Sequence, residues 1–491
     1  MNTSIPLLSI ILFLPLAGAI LLTIFRTAGP KIANLIAVIF SFLSLAATIF
    51  LGIEGIGEGF SHIEEVSWIP SLGAAYRLGV DGISYIAVLL TTVLFMSSIT
   101  FSTKTIARKS EYMALFLLLE TACLGVFMSL DLLLFYIFFE ITLVGMYFII
   151  AGWGHGDAKK AALMFFIYTL VGSLALLLAL LGLYLNTGSE TFDMREIIAN
   201  PATGWMGSAI FWGLLIAFAI KTPLFPFHSW LPLAHTKAPA AGSAILAGIL
   251  LKLGAYGFIR FMLQMTPEAF ERYAWIVIII AVISVVYGAL VAMAQTDIKR
   301  MVAYTSINHM GYLAFGVAIA ALDYEASGIR ALDGASLQIF SHGMVTGLLF
   351  LLCGSIQDRT TTREMPALKG LLKAYPLLSG FFVLAAFASL GLPGLAHFPA
   401  EFQIFLGGYQ IYPWAVGIML VGLVITSAMY LRAIQGSFMG SMDASVLQKI
   451  KDLNTGELLA FIPLVILIIM VGIFPDTILS FIHETTKAIK L

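Results

Sequence analysis

The sequence predicts an all-α polytopic membrane protein of about fourteen transmembrane helices, and three observations predict it. The chain of 491 residues is 60% hydrophobic with a mean hydropathy of +0.99. Only 26 Lys+Arg and 27 Asp+Glu are present, where a soluble domain is about a quarter charged. Apolar runs long enough for a crossing, which needs about 20 residues, recur along the whole chain. A net charge of −1 leaves no basic field to grip phosphates, so nucleic acid is excluded as a partner. The two cysteines, Cys123 and Cys353, lie in separate apolar runs, which excludes a disulfide scaffold and a cysteine-based metal or redox cluster.

The runs fall near 5–25, 32–53, 78–100, 112–129, 132–151, 160–185, 207–227, 239–264, 274–294, 299–320, 336–356, 376–406, 412–438 and 457–478. The first has neither a positive leader nor a small-residue cleavage site and reads as a crossing, not a signal peptide. Linkers are mostly short, so 1–491 reads as one integral membrane domain. Within it the reading assigns N-terminal helices 1–3 to 1–110, a first repeat of helices 4–8 to 111–265, a second of helices 9–13 to 274–438, and helix 14 with a tail to 457–491.

An even number of crossings places both termini on one side. The loops after odd-numbered helices hold 17 of the 26 basic residues and the opposite loops and tails hold 7. By the positive-inside rule the first set is cytoplasmic and both termini are outside. Arg260 and Arg330 fall in the outer set, Lys299 and Arg359 in the inner. The two lysines left over, Lys221 and Lys252, lie within apolar helices, as do three acids, Glu120, Glu140 and Glu401.

A charge in a transmembrane helix costs a few kcal/mol and faces protein or water, which makes each a functional candidate. Glu140 stands in LLLFYIFFEITLVGMYF and Lys252 in SAILAGILLKLGAYGF, half a helix from either end and too deep to snorkel. Glu120, one helix before Glu140, reads equally well as packing. Lys221 stands in AFAIKTPLFPFHSWLP, where Pro223 and Pro226 cannot donate, so the carbonyls of Ala219 and Thr222 are expected to lose their helical partners. Glu401 has an analogous place in ASLGLPGLAHFPAEFQIF, beside Pro393. Paired interrupted segments point to an inverted-repeat transporter, and Pro223 and Pro393 are 170 positions apart, one five-helix repeat. His228, His235, His309, His342 and His397 fall in or near apolar segments; a lone helical histidine is usually a hydrogen-bonded core residue, yet imidazoles in series can carry protons. No zinc, P-loop or dinucleotide signature appears.

Burial favours the neutral form of a titratable group and a facing opposite charge favours the ionised form. A buried Glu–Lys pair therefore has two states close in energy. The expected path runs along the membrane midplane from Glu140 to Lys221, Lys252, the central histidines and Glu401: while paired, Glu140 and Lys221 both stay charged, and a nearby charge that draws them apart lets the lysine release its proton toward Lys252.

The segments KTPLFPFHSWLPLAH, AGSAILAGILLKLGAYGFIRF, DIKRMVAYTSINHMGYLAFG, QIFSHGMVTGLLFLLCGSIQDR and GLPG…EF resemble, in order and spacing, the antiporter-like subunits of respiratory complex I, most of all the M type, the mitochondrial chain 4 type. The likeness spans about 75–475. It implies fourteen helices, two inverted five-helix repeats with helices 7 and 12 broken, and proton translocation in an NADH:quinone oxidoreductase. It further implies no cofactor in this chain, with NADH and quinone used elsewhere in the complex, and L- and N-type antiporter-like chains plus lipids as neighbours; the membrane is expected to be a bacterial plasma membrane ahead of a thylakoid or mitochondrial inner membrane. Residue by residue it assigns the helix-5 acid to Glu140, the helix-7 lysine to Lys221, the helix-8 lysine to Lys252 and the helix-12 acid to Glu401, with His309 and His342 at the central positions.

The chain departs from the pattern at Gly145, where a proline is common, at Leu233 and Lys237, where acids are usual, and in AHFPAEF. Three other readings stay open: the D-type subunit of a multi-subunit cation/proton antiporter, a structural spacer, and, last, a stand-alone secondary transporter for an organic solute. Glutamate at 401 favours the M type, because relatives of the other types tend to carry lysine there. The short stretch after helix 14 argues against the L type.

Overall fold

The computed structural model describes residues 5–27, 29–103, 106–186, 188, 191–441 and 451–489. Lys104, Lys449 and Lys490, counted among the basic residues above, lie outside them. Among the described residues thirteen helices are long and apolar enough to cross a membrane. The first are α1 (Leu7–Ile24), α2 (Pro30–Glu54), α3 (Gly82–Phe101), α4 (Lys109–Met128), α5 (Leu132–Trp153) and α6 (Ala158–Asn186). A short α7 (Met194–Ala199) precedes α8 (Gly204–Lys221), which ends at the lysine, and α9 (Trp230–Lys237) resumes beyond an irregular stretch. The expected break at Pro223 and Pro226 is therefore real.

The next crossings are Ala240–Leu263, Pro267–Met293, Ile298–Leu322 and Ala326–Thr360 (α10 to α13). The run at 376–406 is interrupted as expected, into α14 (Pro376–Ser389) and α15 (His397–Ile411). The chain then continues through α16 (Pro413–Phe438), α17 (Thr455–Ile473) and α18 (Asp476–Ala488).

Burial sorts the helices into two shells. The most apolar stretches of α10 and α13 are wholly buried and those of α3 and α12 nearly so, so these four form the centre. The outer helices show large apolar side chains such as Ile53, Leu178 and Val424 on their surfaces. In water such faces would be unstable; in a bilayer they are the lipid-facing surface.

Helix starts are fixed by acids, which accept the orphan N–H groups of the first turn. Asp81 accepts from Ser84 N, Asp131 from Leu133 N and Leu134 N, and Asp297 from Lys299 N and Arg300 N. Glu457 and Asn454 close a reciprocal capping box at α17.

Four features differ from the sequence reading. An antiparallel hairpin of β1 (Ser61–Ile69) and β2 (Ala74–Val80) replaces the expected linker and the start of the third apolar run. Arg77 on β2 bonds Glu65 across the strand pair at 2.8 Å and Asp131 at 3.1 Å, so the hairpin is clipped to the cap of α5. The run at 457–478 ends early, at Pro475, because proline cannot continue a helix, and α18 begins as a separate amphipathic helix. Arg260, Lys299 and Arg359, sorted as loop cations, are buried, because they stand inside the end turns of their helices and not in the loops. Arg260 pairs with Asp81 at 2.6 Å, Arg359 with Glu457 at 2.6 Å, and Lys299 donates to Ala238 O at 2.7 Å. Finally, Ala219 O is not orphaned: Leu224 N reaches back to it at 2.9 Å.

Candidate functional site

Lys221, the last residue of α8, is buried with its Nζ 4.4 Å over the Phe139 ring and donating to Thr142 Oγ1 at 3.4 Å. Phe139 and Thr142 are three residues apart and share one face of α5. Glu140 is rotated about 100° from that face. No ion pair joins Glu140 to Lys221 among the described residues, so of the two expected states the structure holds the open one. Glu140 is half-buried, with Oε1 lacking a hydrogen-bond partner. Its place on α5 puts it at the side of the lysine pocket, next to Tyr136 one turn before.

The break itself is held by side chains. Phe225 N donates to Ser284 Oγ at 2.9 Å, and Trp230 Nε1 donates to Ile220 O at 3.1 Å. His228 lies 3.2 Å from the Tyr287 hydroxyl through Nε2, at the rim of the break. Gly254 lets α10 close directly onto it, since a Cβ there would lie 2.3 Å from Thr222 Oγ1 and 2.7 Å from Thr222 N. The helix carrying Lys252 is thereby pressed against the residue that follows Lys221.

Lys252 sits between two π-helical turns, Leu246–Leu250 and Phe258–Leu263. The widened turn lets its Nζ donate to Ala247 O, five residues back, at 2.5 Å. π-turns inside helices occur frequently at functional sites. The same Nζ lies 2.5 Å from His342 Nδ1 on α13. Gly248 and Gly343, whose added Cβ atoms would meet each other's carbonyls at 3.1 and 2.8 Å, allow the two helices to cross this closely, as small residues do in membranes.

From His342 the polar groups continue. Its ring centroid is 5.4 Å from that of His309 and 5.9 Å from that of His397. His309 and His397 are 4.5 Å apart, edge to face. His309 Nδ1 is 3.1 Å from Glu401 Oε1, and His397 Nδ1 is 3.8 Å from the same oxygen. Ser389, at the end of α14, completes the cluster: its Oγ is 3.2 Å from His309 Nε2 and accepts from the Tyr430 hydroxyl at 2.8 Å. All of these residues are buried. The break between α14 and α15 thus delivers Ser389, His397 and Glu401 to His309.

Thus Lys252, His342, His309 and Glu401 form one buried chain, Lys221 stands across the Gly254 contact, and Pro223 and Pro393 mark the two breaks. Glu120 stands outside this chain, accepting from Ser41 Oγ at 3.1 Å through Oε1, with Oε2 buried and lacking a hydrogen-bond partner. Sequence reasoning gave His397 no more weight than any lone histidine and missed Thr142, Ser389 and Tyr430, all ordinary residues until the fold gathers them. His235 stacks on Phe350 at 4.4 Å, and neither ring nitrogen has a hydrogen-bond partner. His309, His397 and Glu401 bring three ligand-type atoms within 4.8 Å of one another, but His309 already bonds Glu401 through Nδ1 and Ser389 through Nε2, and an ion held by its ring would displace one of those contacts.

Residues 129–429, which contain the whole chain of polar groups, match the family described as NADH:quinone oxidoreductase/Mrp antiporter, TM. The chain is 38% identical over 492 residues to NADH-quinone oxidoreductase subunit M of Rickettsia prowazekii, covering 98% of each. It is 38% identical over 495 residues to subunit M of Rhodobacter capsulatus, covering 97% of this chain and 94% of that one. Among solved structures it matches respiratory complex I from Thermus thermophilus with a TM-score of 0.89 at 31% identity over 98% of both chains. It also matches the Mrp complex from Dietzia sp. with a TM-score of 0.86 over 100% of this chain and 98% of that one; at 18% identity this shows a shared fold alone. The chain belongs to the NADH:quinone oxidoreductase/Mrp antiporter transmembrane family, and within it to the subunit M type.

Proposed function

We propose that this chain is a proton-translocating membrane-arm subunit of a complex I type NADH:quinone oxidoreductase. Protons pass through Glu140, Lys221, Lys252, His342, His309 with His397, and Glu401, coupled to quinone reduction elsewhere in the complex. The observation that carries the reading is the buried succession from Lys252 to Glu401, which bridges both broken segments. The elementary step is a proton leaving Lys252 Nζ for the Nδ1 lone pair of His342, followed by release from the other ring nitrogen. His342 Nε2 and His397 Nε2 are buried without protein partners, as expected of imidazoles that hand protons on through water. Glu401 receives the proton as a carboxylate. The open arrangement of Glu140 beside Lys221 is one of two states; closing that pair holds the lysine charged, and opening it frees a proton toward Lys252.

In this reading the chain holds no redox group, NADH and quinone act on other subunits, and L- and N-type chains flank it. The excess of basic residues in the loops after odd-numbered helices supports both termini outside, in a bacterial plasma membrane. A D-type antiporter role is less favoured, because the Mrp likeness is one of fold at 18% identity while the complex I likeness reaches 31%.

The test is Lys221→Met in the assembled, reconstituted complex, with proton uptake and NADH oxidation measured together. The expected result is an assembled complex that has lost proton pumping. Pumping at the wild-type rate and ratio would leave the spacer reading in its place.

A further inference from the structure

A cavity of about 960 Å³ opens on the face that carries α18 and the start of α13, lined among others by Asp333, Gln403, Asp476, His483 and Glu484. Asp333 is its most enclosed acid: it is buried, while His483 beside it is half-exposed. Thr486 Oγ1 donates to Asp333 Oδ1 at 2.5 Å, and His483 Nδ1 lies 2.7 Å from Oδ2. An acid buried this deeply is expensive unless it is paired, and here α18 supplies the partners. Nothing in the relay described above uses it.

The floor of the cavity lies next to the far end of that relay. Gly334 packs against α15, where an added Cβ would lie 2.6 Å from Ala400 O and 2.7 Å from Ile404 N. Gln338 and His342 follow Gly334 at intervals of four, so all three share the stripe of α13 that faces α15. Gln338 lies against Glu401, is fully buried, and its Nε2 has no hydrogen-bond partner. Buried amides in that condition are completed by water. The polar groups from His342 past Gln338 to Glu401 thus lie on the side of α13 that faces α15, and Asp333, next to Gly334 but turned about 100° from that stripe, faces α18 and the open cavity.

We infer that the outlet of the relay runs from Glu401 past Gln338 to Asp333, and that Asp333, held by His483 and Thr486, releases the proton into this cavity. The inference rests on the relay proposed above. The carboxylate takes a proton delivered from Glu401, and the proton leaves to cavity water with no other reactant.

The experiment compares Asp333→Asn, Asp333→Glu and Asp333→Ala with Lys221→Met in the assembled complex in proteoliposomes, measuring proton transfer per NADH oxidised. Asp333→Asn is expected to lower the pumping rate about tenfold or more and Asp333→Glu to restore it. Formate or azide, small weak acids, should rescue Asp333→Ala in a concentration-dependent way. A purely structural role in seating α18 would show no acid rescue. Wild-type pumping by Asp333→Asn, or equal failure of Asn and Glu variants without rescue, overturns the inference. If Asp333→Asn does not assemble, Gln338→Leu takes its place, and wild-type pumping there is equally fatal. Loss in Lys221→Met beside normal Asp333 variants would leave the relay standing with its outlet elsewhere. Normal pumping in Lys221→Met would remove the relay itself.

Discussion

Gly254→Ala tests whether close approach between α10 and the broken segment is what positions the two lysines. The new Cβ would lie 2.3 Å from Thr222 Oγ1, 2.7 Å from Thr222 N and 3.0 Å from Phe218 O. The hydroxyl can rotate away. The other two atoms are backbone and bonded to each other at 2.8 Å, so the helices must part by about 0.7 Å to restore an ordinary contact near 3.4 Å. Because α10 is wholly buried, that movement propagates into its other neighbours. Overpacking of this kind costs about 1–3 kcal/mol, against a gain of up to about 1 kcal/mol from replacing a helical glycine. Gly417→Ala on α16 is the matched control, since nothing lies within 4 Å of its added Cβ. The propensity gain is common to both variants, so their difference isolates the packing cost at about 1–3 kcal/mol, or about 5- to 150-fold in the unfolding constant. Unfolding of the purified chain in mixed dodecyl maltoside and SDS micelles measures it, and proton pumping should fall in Gly254→Ala alone. Equal stability of the two variants within about 0.5 kcal/mol would refute the packing argument.

Two further predictions concern ion pairs that brace the structure. Glu457 accepts from Arg359 Nη1 at 2.8 Å and Nη2 at 2.6 Å and from Ser355 Oγ at 2.5 Å; Glu457→Leu leaves a buried guanidinium uncompensated and should destabilise α17 by about 3–5 kcal/mol, whereas adding Arg359→Met should recover most of the loss, read by the same unfolding titration. Bonding to Arg77 and then to Arg195 holds the Glu65 carboxyl below the ordinary glutamate range; its stabilisation of the hairpin is present above the unfolded value of about 4.3 and fades as pH falls through the lower folded value, so amide exchange in 61–80 should speed up in acid, and Glu65→Gln should remove that pH dependence.

Residues alone in apolar surroundings were legible from the sequence. Lys221, Lys252 and Glu401 stand out because a charge in a transmembrane run has few explanations, and the prolines beside two of them announced the breaks. What stayed hidden depends on direction and distance. Glu140 was recognised, but the turn of α5 that points Phe139 and Thr142 at Lys221 and carries Glu140 to the side is a matter of about 100° of helix rotation. Arg260 and Arg359 looked like loop cations because their partners, Asp81 and Glu457, are far away in sequence. Asp333 escaped for the same reason, lying just before an apolar run whose helix starts ten residues earlier than its hydropathy suggests. The hairpin at 61–80 has a solvent-exposed first strand and so lacks the strict alternation that marks a half-buried one.

The position of Asp333 also shapes the electric field. Nine residues of α13 separate it from His342, about 14 Å along the axis, roughly half of a 30 Å hydrocarbon layer. Asp333 thus stands near one surface of that layer, where the cavity opens, and the buried stretch of about 14 Å between it and His342 is where that half of a transmembrane voltage falls. Each 100 mV is worth about 2.3 kcal/mol per proton charge. In the proposed relay a proton passing from Lys252 through the histidines moves parallel to the membrane plane and does almost no work against that voltage, whereas one passing on from Glu401 to Asp333 crosses that half of it. On that proposal an opposing membrane potential acts on release and leaves the lateral chain untouched.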